Sequence, residues 1–181
     1  MSVLIRNAMP EDAAAIVEIY APYVLHTGIS FETEVPSVDE YRRRIQKTIE
    51  FFPFFVLEED GIVVGYSYAH FFRERKAYQW QVEPSIYVRQ DKHRRGYARL
   101  LYDRLIKALT KQGFCEIISV IGCPNEPSEK LHQAFGFQLV AEFPKAGFKT
   151  GRWYDVKYYS LQLNPRAEEP TDPVAYRCIE D

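Results

Sequence analysis

A mixed α+β domain built around one sheet is predicted by three features of the chain. Apolar residues recur at helical spacing up to Ile49, change to alternating and continuous strand-like runs in the middle, and return to helical spacing at Leu101, Leu105 and Leu109. Turn residues separate the runs, and neither a repeat nor an interdomain linker interrupts them. One domain is therefore expected over residues 1–163, with a proline-bearing tail at 164–181.

The chain opens on a short strand at Val3 to Arg6. Pro10, Glu11 and Asp12 then mark a helix start, because proline in the first turn wastes no donor and acids favour the positive helix end. Ala13, Ile16, Val17 and Tyr20 share one face of that helix, which is expected to run towards Tyr20 and meet Pro22. "SVDE", Ser37 to Glu40, has the capping-box form, and Tyr41, Ile45 and Ile49 follow at every fourth residue as a second amphipathic helix. Between the helices, "HTGISFETEVP" is a polar loop whose aromatic, Phe31, has no periodic partner.

The period then changes. "PFFVLEEDGIVVGYSYAHF" is two apolar runs joined by Asp60-Gly61, a hairpin signature. "AYQWQVEPSIYV", Ala77 to Val88, alternates aromatic or β-branched residues with polar ones and predicts another strand. A helix begins at Ala98 and closes near Gly113. "CEIISVIG" reads as a buried strand, "PSEKLHQAF" as a short helix ending at Gly136, and "FQLVAEF" and "WYDVKYYSLQL" as the last strands. Beyond Leu163, Pro165, Pro170 and Pro173 stand among charges, so the tail is expected on the surface with little core.

Composition narrows the function classes. With 181 residues, 46% hydrophobic and 27% charged, the chain is long enough to bury a core without staples. A net charge of −2 argues against a nucleic-acid binder. Cys115, Cys123 and Cys178 form neither an even framework nor a CxxC pair, which fits a reducing compartment and argues against structural zinc. No apolar run suits a signal peptide or a membrane span, so a cytoplasmic protein with no metal is expected.

The chemistry is carried by "HRRGYARLLYDRL", His93 to Leu105, which lies between a predicted strand and a predicted helix. A helix N-terminus points unpaired N–H groups outward with roughly half a positive charge, and glycine there lets a phosphate approach the main chain. The same basic residues also read as a solvated face. The Walker pattern and the dinucleotide fingerprint are both absent, which removes the kinase and dehydrogenase readings.

This order of elements, with "HRRGYA" opening the long helix, resembles the GNAT N-acetyltransferase superfamily, whose loop [QR]-x-x-G-x-[GA] holds the pyrophosphate of acetyl-CoA. The resemblance runs from about Val3 to Leu163 and implies a mostly antiparallel twisted sheet flanked by helices. His93 departs from the usual Gln or Arg, which leaves the loop amides intact. "SFETEVP", "AYQWQVEPSIYV", "VIGCPNEPSEKLHQAFGF" and "AGFKTGRWYDVKYYSLQL" resemble, in order, the phosphinothricin (methionine sulfoximine) acetyltransferase family.

What the resemblance implies is specific. Acetyl-CoA is expected on the main chain of Ile86, Tyr87 and Val88, on His93, Arg94, Arg95, Gly96, Tyr97, Ala98 and Arg99, and on Asn125 and Ser128. On residues alone, the last two also read as a turn and a helix cap. An aliphatic amine with a pKa near 10 is protonated at neutral pH, and Glu83 is the family's general base. A backbone N–H after Glu83 is expected to meet the oxyanion. His132 stands where the superfamily often has a tyrosine that protonates the leaving thiolate; substrate orientation or plain packing are its other readings. Cys123 reads as a small buried hydrophobe rather than a nucleophile.

Phe31, Arg75, Tyr78 and Val156 are expected around the acceptor, with Arg75 offering a planar donor fork to a carboxylate or phosphinate. "FRERKAY" also reads as solvated charge. The expected activity is N-acetylation of a small amino acid analogue by a homodimer. Polyamine or peptide N-terminus acetylation, or a non-catalytic acetyl-CoA sensor, are the alternatives.

Overall fold

The computed structural model describes residues 2–179; Met1, and Glu180 and Asp181 at the end of the expected tail, lie outside it. Seven strands, β1 (Val3–Asn7), β2 (Phe54–Glu59), β3 (Ile62–Phe71), β4 (Gln81–Val88), β5 (Glu116–Cys123), β6 (Gln138–Lys149) and β7 (Arg152–Gln162), form one sheet in the order β1-β2-β3-β4-β5-β7-β6. Every pairing is antiparallel except β4 with β5. Four helices flank it: α1 (Ala13–His26), α2 (Val38–Ile49), α3 (Tyr97–Lys111) and α4 (Glu126–Ala134).

Both faces of the sheet are covered, which is why "FFVL" in β2 is a continuous apolar run. Phe54 and Val56 belong to the core with α1 and α2, while Phe55 and Leu57 belong to the core with the α3 stripe Leu101, Leu105 and Leu109. The Asp60-Gly61 hairpin has both residues at positive φ, 51° and 81°, the mirror-image turn that matches strand twist. Ser37 caps α2 by accepting the Glu40 amide at 3.1 Å. Among the described residues no helix is long and apolar enough to cross a membrane.

Several boundaries differ from expectation. α1 continues through Pro22 to His26, because Tyr23 and Val24 bury on the same side as Ile16 and Tyr20 and hold the last turn despite the missing N–H. The strand expected from Ala77 starts only at Gln81, since Lys76–Tyr78 form a 3-10 turn. β6 runs six residues past Phe143, through register shifts against β7 that no alternation announced. The tail is mostly exposed, yet Tyr176 is buried edge-on against Phe55 and Trp80 Nε1 donates to the Thr171 carbonyl.

Candidate active site

The site arises where the sheet opens. β4 and β5 pair only at Gln81 with Glu116 and Val82 with Ile117, after which they splay apart. The Phe72 amide bonds to the Gln81 carbonyl and the Arg89 amide to the Val64 carbonyl. Odd-numbered residues of β4 thus turn their main chain to β3, and Pro84, Ile86 and Val88 turn theirs into the gap. Proline is tolerated here because its missing N–H faces no ladder partner. The gap widens into a cleft of about 910 Å³.

Fifteen of the eighteen residues singled out by the sequence reading line this cleft: Glu83, Ile86, Tyr87 and Val88 from β4, together with His93, Arg94, Gly96, Tyr97, Ala98 and Arg99 at the start of α3. Asn125, Ser128 and His132 line it from α4, Val156 from β7, and Phe31 from the loop after α1. Gly96 sits at φ 81° immediately before α3, and Arg94 at φ 62°, so the loop turns its amides in a way few side chains permit. Asn125 is also the N-cap of α4, its side chain accepting the Ser128 amide at 3.4 Å.

Three residues are placed elsewhere. Arg95 turns away from the cleft and donates to Glu59 at 2.7 Å. Arg75 and Tyr78 belong to the exposed turn before β4 and do not line the cleft of the single chain. A different arginine, Arg73, acts electrostatically on Glu83.

Glu83 is half-buried, and burial raises its carboxyl above the usual range against the opposing pull of His70 and Arg73. That moves a carboxylate towards the strength a base needs near neutral pH. His132 is buried and its pKa is lowered by desolvation, so the ring is neutral. Its Nδ1 lies 2.7 Å from the Ser128 carbonyl and must donate. Nε2 therefore accepts from the Ser119 hydroxyl at 2.7 Å, and Ser119 in turn accepts from Tyr102 at 3.0 Å. Both ring nitrogens are engaged within the protein.

His93 is oriented in a way its place in the loop did not suggest. The Tyr23 hydroxyl donates to the Val88 carbonyl, so His93 Nε2, 2.7 Å from that hydroxyl, is the donor. The imidazole pins the loop to the cleft floor.

Other site features lay outside the sequence reading. A Cβ on Gly122 would meet the Gly28 carbonyl at 2.3 Å, and one on Gly147 would meet the Phe31 ring at 2.4 Å. The loop after α1 therefore lies directly on β5 and β6. Lys149, buried, donates to the Ser30 carbonyl and fixes the same loop. Among the described residues no cluster of three or more His, Cys, Asp or Glu is placed to hold a metal.

Comparison with known proteins accounts for this architecture. Residues 5–157 match the family model described as an acetyltransferase (GNAT) domain, so the chain belongs to the GNAT acetyltransferase family. Within it, the chain is 35% identical over 171 residues to a phosphinothricin N-acetyltransferase of Streptomyces viridochromogenes, covering 94% of this chain and 93% of that protein. It is 34% identical to an L-methionine sulfoximine/L-methionine sulfone acetyltransferase of Salmonella typhimurium, covering 90% and 96% respectively. A solved phosphinothricin acetyltransferase from Sinorhizobium meliloti, in complex with acetyl-CoA, superposes with a TM-score of 0.91 at 35% identity, covering 98% of this chain and all of that one.

Proposed function

We propose that the chain is an acetyl-CoA-dependent N-acetyltransferase acting on the amino group of a small amino acid analogue of the phosphinothricin or methionine sulfoximine kind. One observation carries the reading: a single cleft has the raised-pKa Glu83 among its walls and the left-handed glycine turn at the α3 N-terminus among them too. The relatives named above supply the substrate class.

The residues present fit the coenzyme. The Ile86 amide and carbonyl and the Val88 amide face the cleft as an unpaired strand edge suited to an amide-bearing arm. The loop amides from Arg94 to Ala98 suit a diphosphate, with Arg94 and Arg99 as the adjoining cations and Asn125 and Ser128 across the cleft. Bound acetyl-CoA supplies the activated acetyl group. Glu83 takes the proton from the acceptor ammonium, directly or through water, freeing the nitrogen lone pair. Phe31 and Val156 give the acceptor end of the cleft its apolar walls. Arg75 and Tyr78, on the exposed turn leading into β4, lie outside this cleft and are left out of the acceptor site of the single chain. His132, neutral and held by Ser119 and Ser128, is substrate-orienting rather than a general acid in this reading.

A homodimer is the proposed assembly, supported by large exposed apolar side chains on the edge strand and its neighbour: Val140, Phe143, Phe148 and Trp153. Sedimentation velocity is expected to read twice the 21.2 kDa chain mass, and a monomer at micromolar concentration counts against it. A cytoplasmic location fits the free thiols Cys115, Cys123 and Cys178.

The test is coenzyme A release across a panel of sulfoximines, phosphinates, amino acids, polyamines and peptides. Methionine sulfoximine and phosphinothricin are expected to give the highest kcat/KM. Efficient spermidine turnover with none for the sulfoximine overturns the acceptor class, and no turnover of any amine despite tight acetyl-CoA binding overturns catalysis.

A further inference from the structure

Lys92, Arg95 and Tyr97, all from the segment that opens α3, converge on one carboxylate. Glu59, the last residue of β2, is only 5% exposed. It accepts from Arg95 at 2.7 Å, from the Tyr97 hydroxyl at 2.5 Å, and from the Lys92 ammonium. The hydrogen bonds from Lys92 and Tyr97 hold its carboxyl down at about 2, so it is ionised throughout the neutral range. Nothing in the local pattern of "VLEEDG" connects Glu59 with residues thirty or more positions later; the sheet brings them together.

The loop these three residues flank needs such an anchor. It places Arg94 and Gly96 at positive φ, and its own main-chain bonds are local: Lys92 to Arg89, His93 to Gln90 at 3.4 Å, and Leu100 to Gly96. It also crowds Lys92, Arg94, Arg95 and Arg99 into one short stretch, whose mutual repulsion opposes the compact turn. On one side His93 ties it to Tyr23 and Val88. On the other side the tie is Glu59.

We propose that Glu59 is a positioning residue for coenzyme binding: as the internal counter-ion of the loop it fixes the amides on which the diphosphate sits and takes Arg95 out of the phosphate-contacting set. The inference rests on the placement of the coenzyme diphosphate on residues 94–98 under the function proposed above. Glu59 itself touches no ligand. Its carboxylate repels phosphate at a distance, and its value lies in the geometry it imposes on the main chain.

Calorimetric titration with acetyl-CoA tests it, comparing wild type, Glu59→Gln and Gly96→Val. Glu59→Gln keeps the volume but removes the charge that holds Lys92 and Arg95, and the Kd for acetyl-CoA should rise roughly tenfold. The KM for S-acetylpantetheine, which lacks the diphosphate, should stay unchanged, as should the acceptor KM. A general distortion of the cleft raises all three and overturns the proposal, as does acetyl-CoA affinity that is unchanged or tighter. If Gly96→Val weakens acetyl-CoA and Glu59→Gln does not, the role of Glu59 falls while the loop placement stands. If Gly96→Val binds normally, both fall. Should Glu59→Gln fail to fold, Tyr97→Phe removes one of the three bonds and no charge, and a Kd increase of roughly threefold is expected; no change there counts against Glu59.

Discussion

Gly96→Val is expected to fold and to lose acetyl-CoA affinity by well over about tenfold. The reasoning has two parts. A Cβ at Gly96 meets nothing within 4 Å, so the ligand-free chain has room for it; the cost is the φ of 81°, which a β-branched residue adopts only under strain. Relaxing that strain rotates the loop amides, and under the proposed coenzyme placement the isopropyl group would stand where the main chain approaches the diphosphate. Gly61 provides a matched control. It has the same φ of 81° and the same empty surroundings, but lies in the β2–β3 hairpin. Gly61→Val should cost a comparable amount of stability and leave the calorimetric Kd where it was. Equal affinities for all three proteins remove the loop from the coenzyme site.

Glu83→Gln is expected to lower kcat roughly 10²-fold or more near neutral pH with acetyl-CoA affinity retained. It should also raise thermal stability, and the sign follows from proton linkage. Burial lifts the folded-state pKa of Glu83 above its unfolded value, so between those two values the native protein binds more protons than the unfolded chain. Stability contributed by the protonated form is present below the unfolded pKa and is lost as pH rises through the folded one. Once the pH exceeds the folded-state pKa the wild type carries the whole penalty of a desolvated carboxylate, and glutamine carries none. Thermal denaturation at pH 7 should give a higher Tm for Glu83→Gln, with the gap closing in acid. A variant less stable than wild type at pH 7 removes the desolvation argument, whatever its rate.

How much of this was legible in the sequence depends on how local each signal is. The Ser37 cap, the Asp60-Gly61 hairpin and the Leu101, Leu105 and Leu109 stripe each depend on a few neighbouring residues, and all three are present. The glycine loop before α3 is readable for the same reason, and the segmentwise family resemblance singles out Glu83 and His132, both of which line the cleft. Contacts between distant segments left no such trace. Glu59 meets Lys92 and Arg95 only because β2 ends beside the loop. Gly28 looks like an ordinary loop residue and Gly122 like the end of a buried strand until the loop after α1 is laid on β5 too closely for a side chain at Gly122. Ser119 is a small polar residue in a mostly apolar strand, and only the packing of α4 makes it the partner of His132. Tyr176 is a lone aromatic in a charged tail, without the periodicity that marks a core position. Arg75 and Tyr78 differ in kind: the resemblance groups them with Phe31 and Val156, but the single chain leaves them on an exposed turn outside the cleft wall.

The central claim is that Glu83 removes the acceptor's proton in the gap between β4 and β5. The pH dependence of kcat/KM for wild type and Glu83→Gln, on one acceptor amine, tests it most directly. With the base in place, the wild-type profile should rise through the raised carboxyl pKa of Glu83 and then form a plateau above it. Without it, only amine that arrives deprotonated can react, so the variant should gain about tenfold per pH unit up to the amine's own pKa near 10 and approach the wild-type rate there. Two profiles of the same shape, differing by a constant factor or not at all, contradict the assignment of Glu83 as the base.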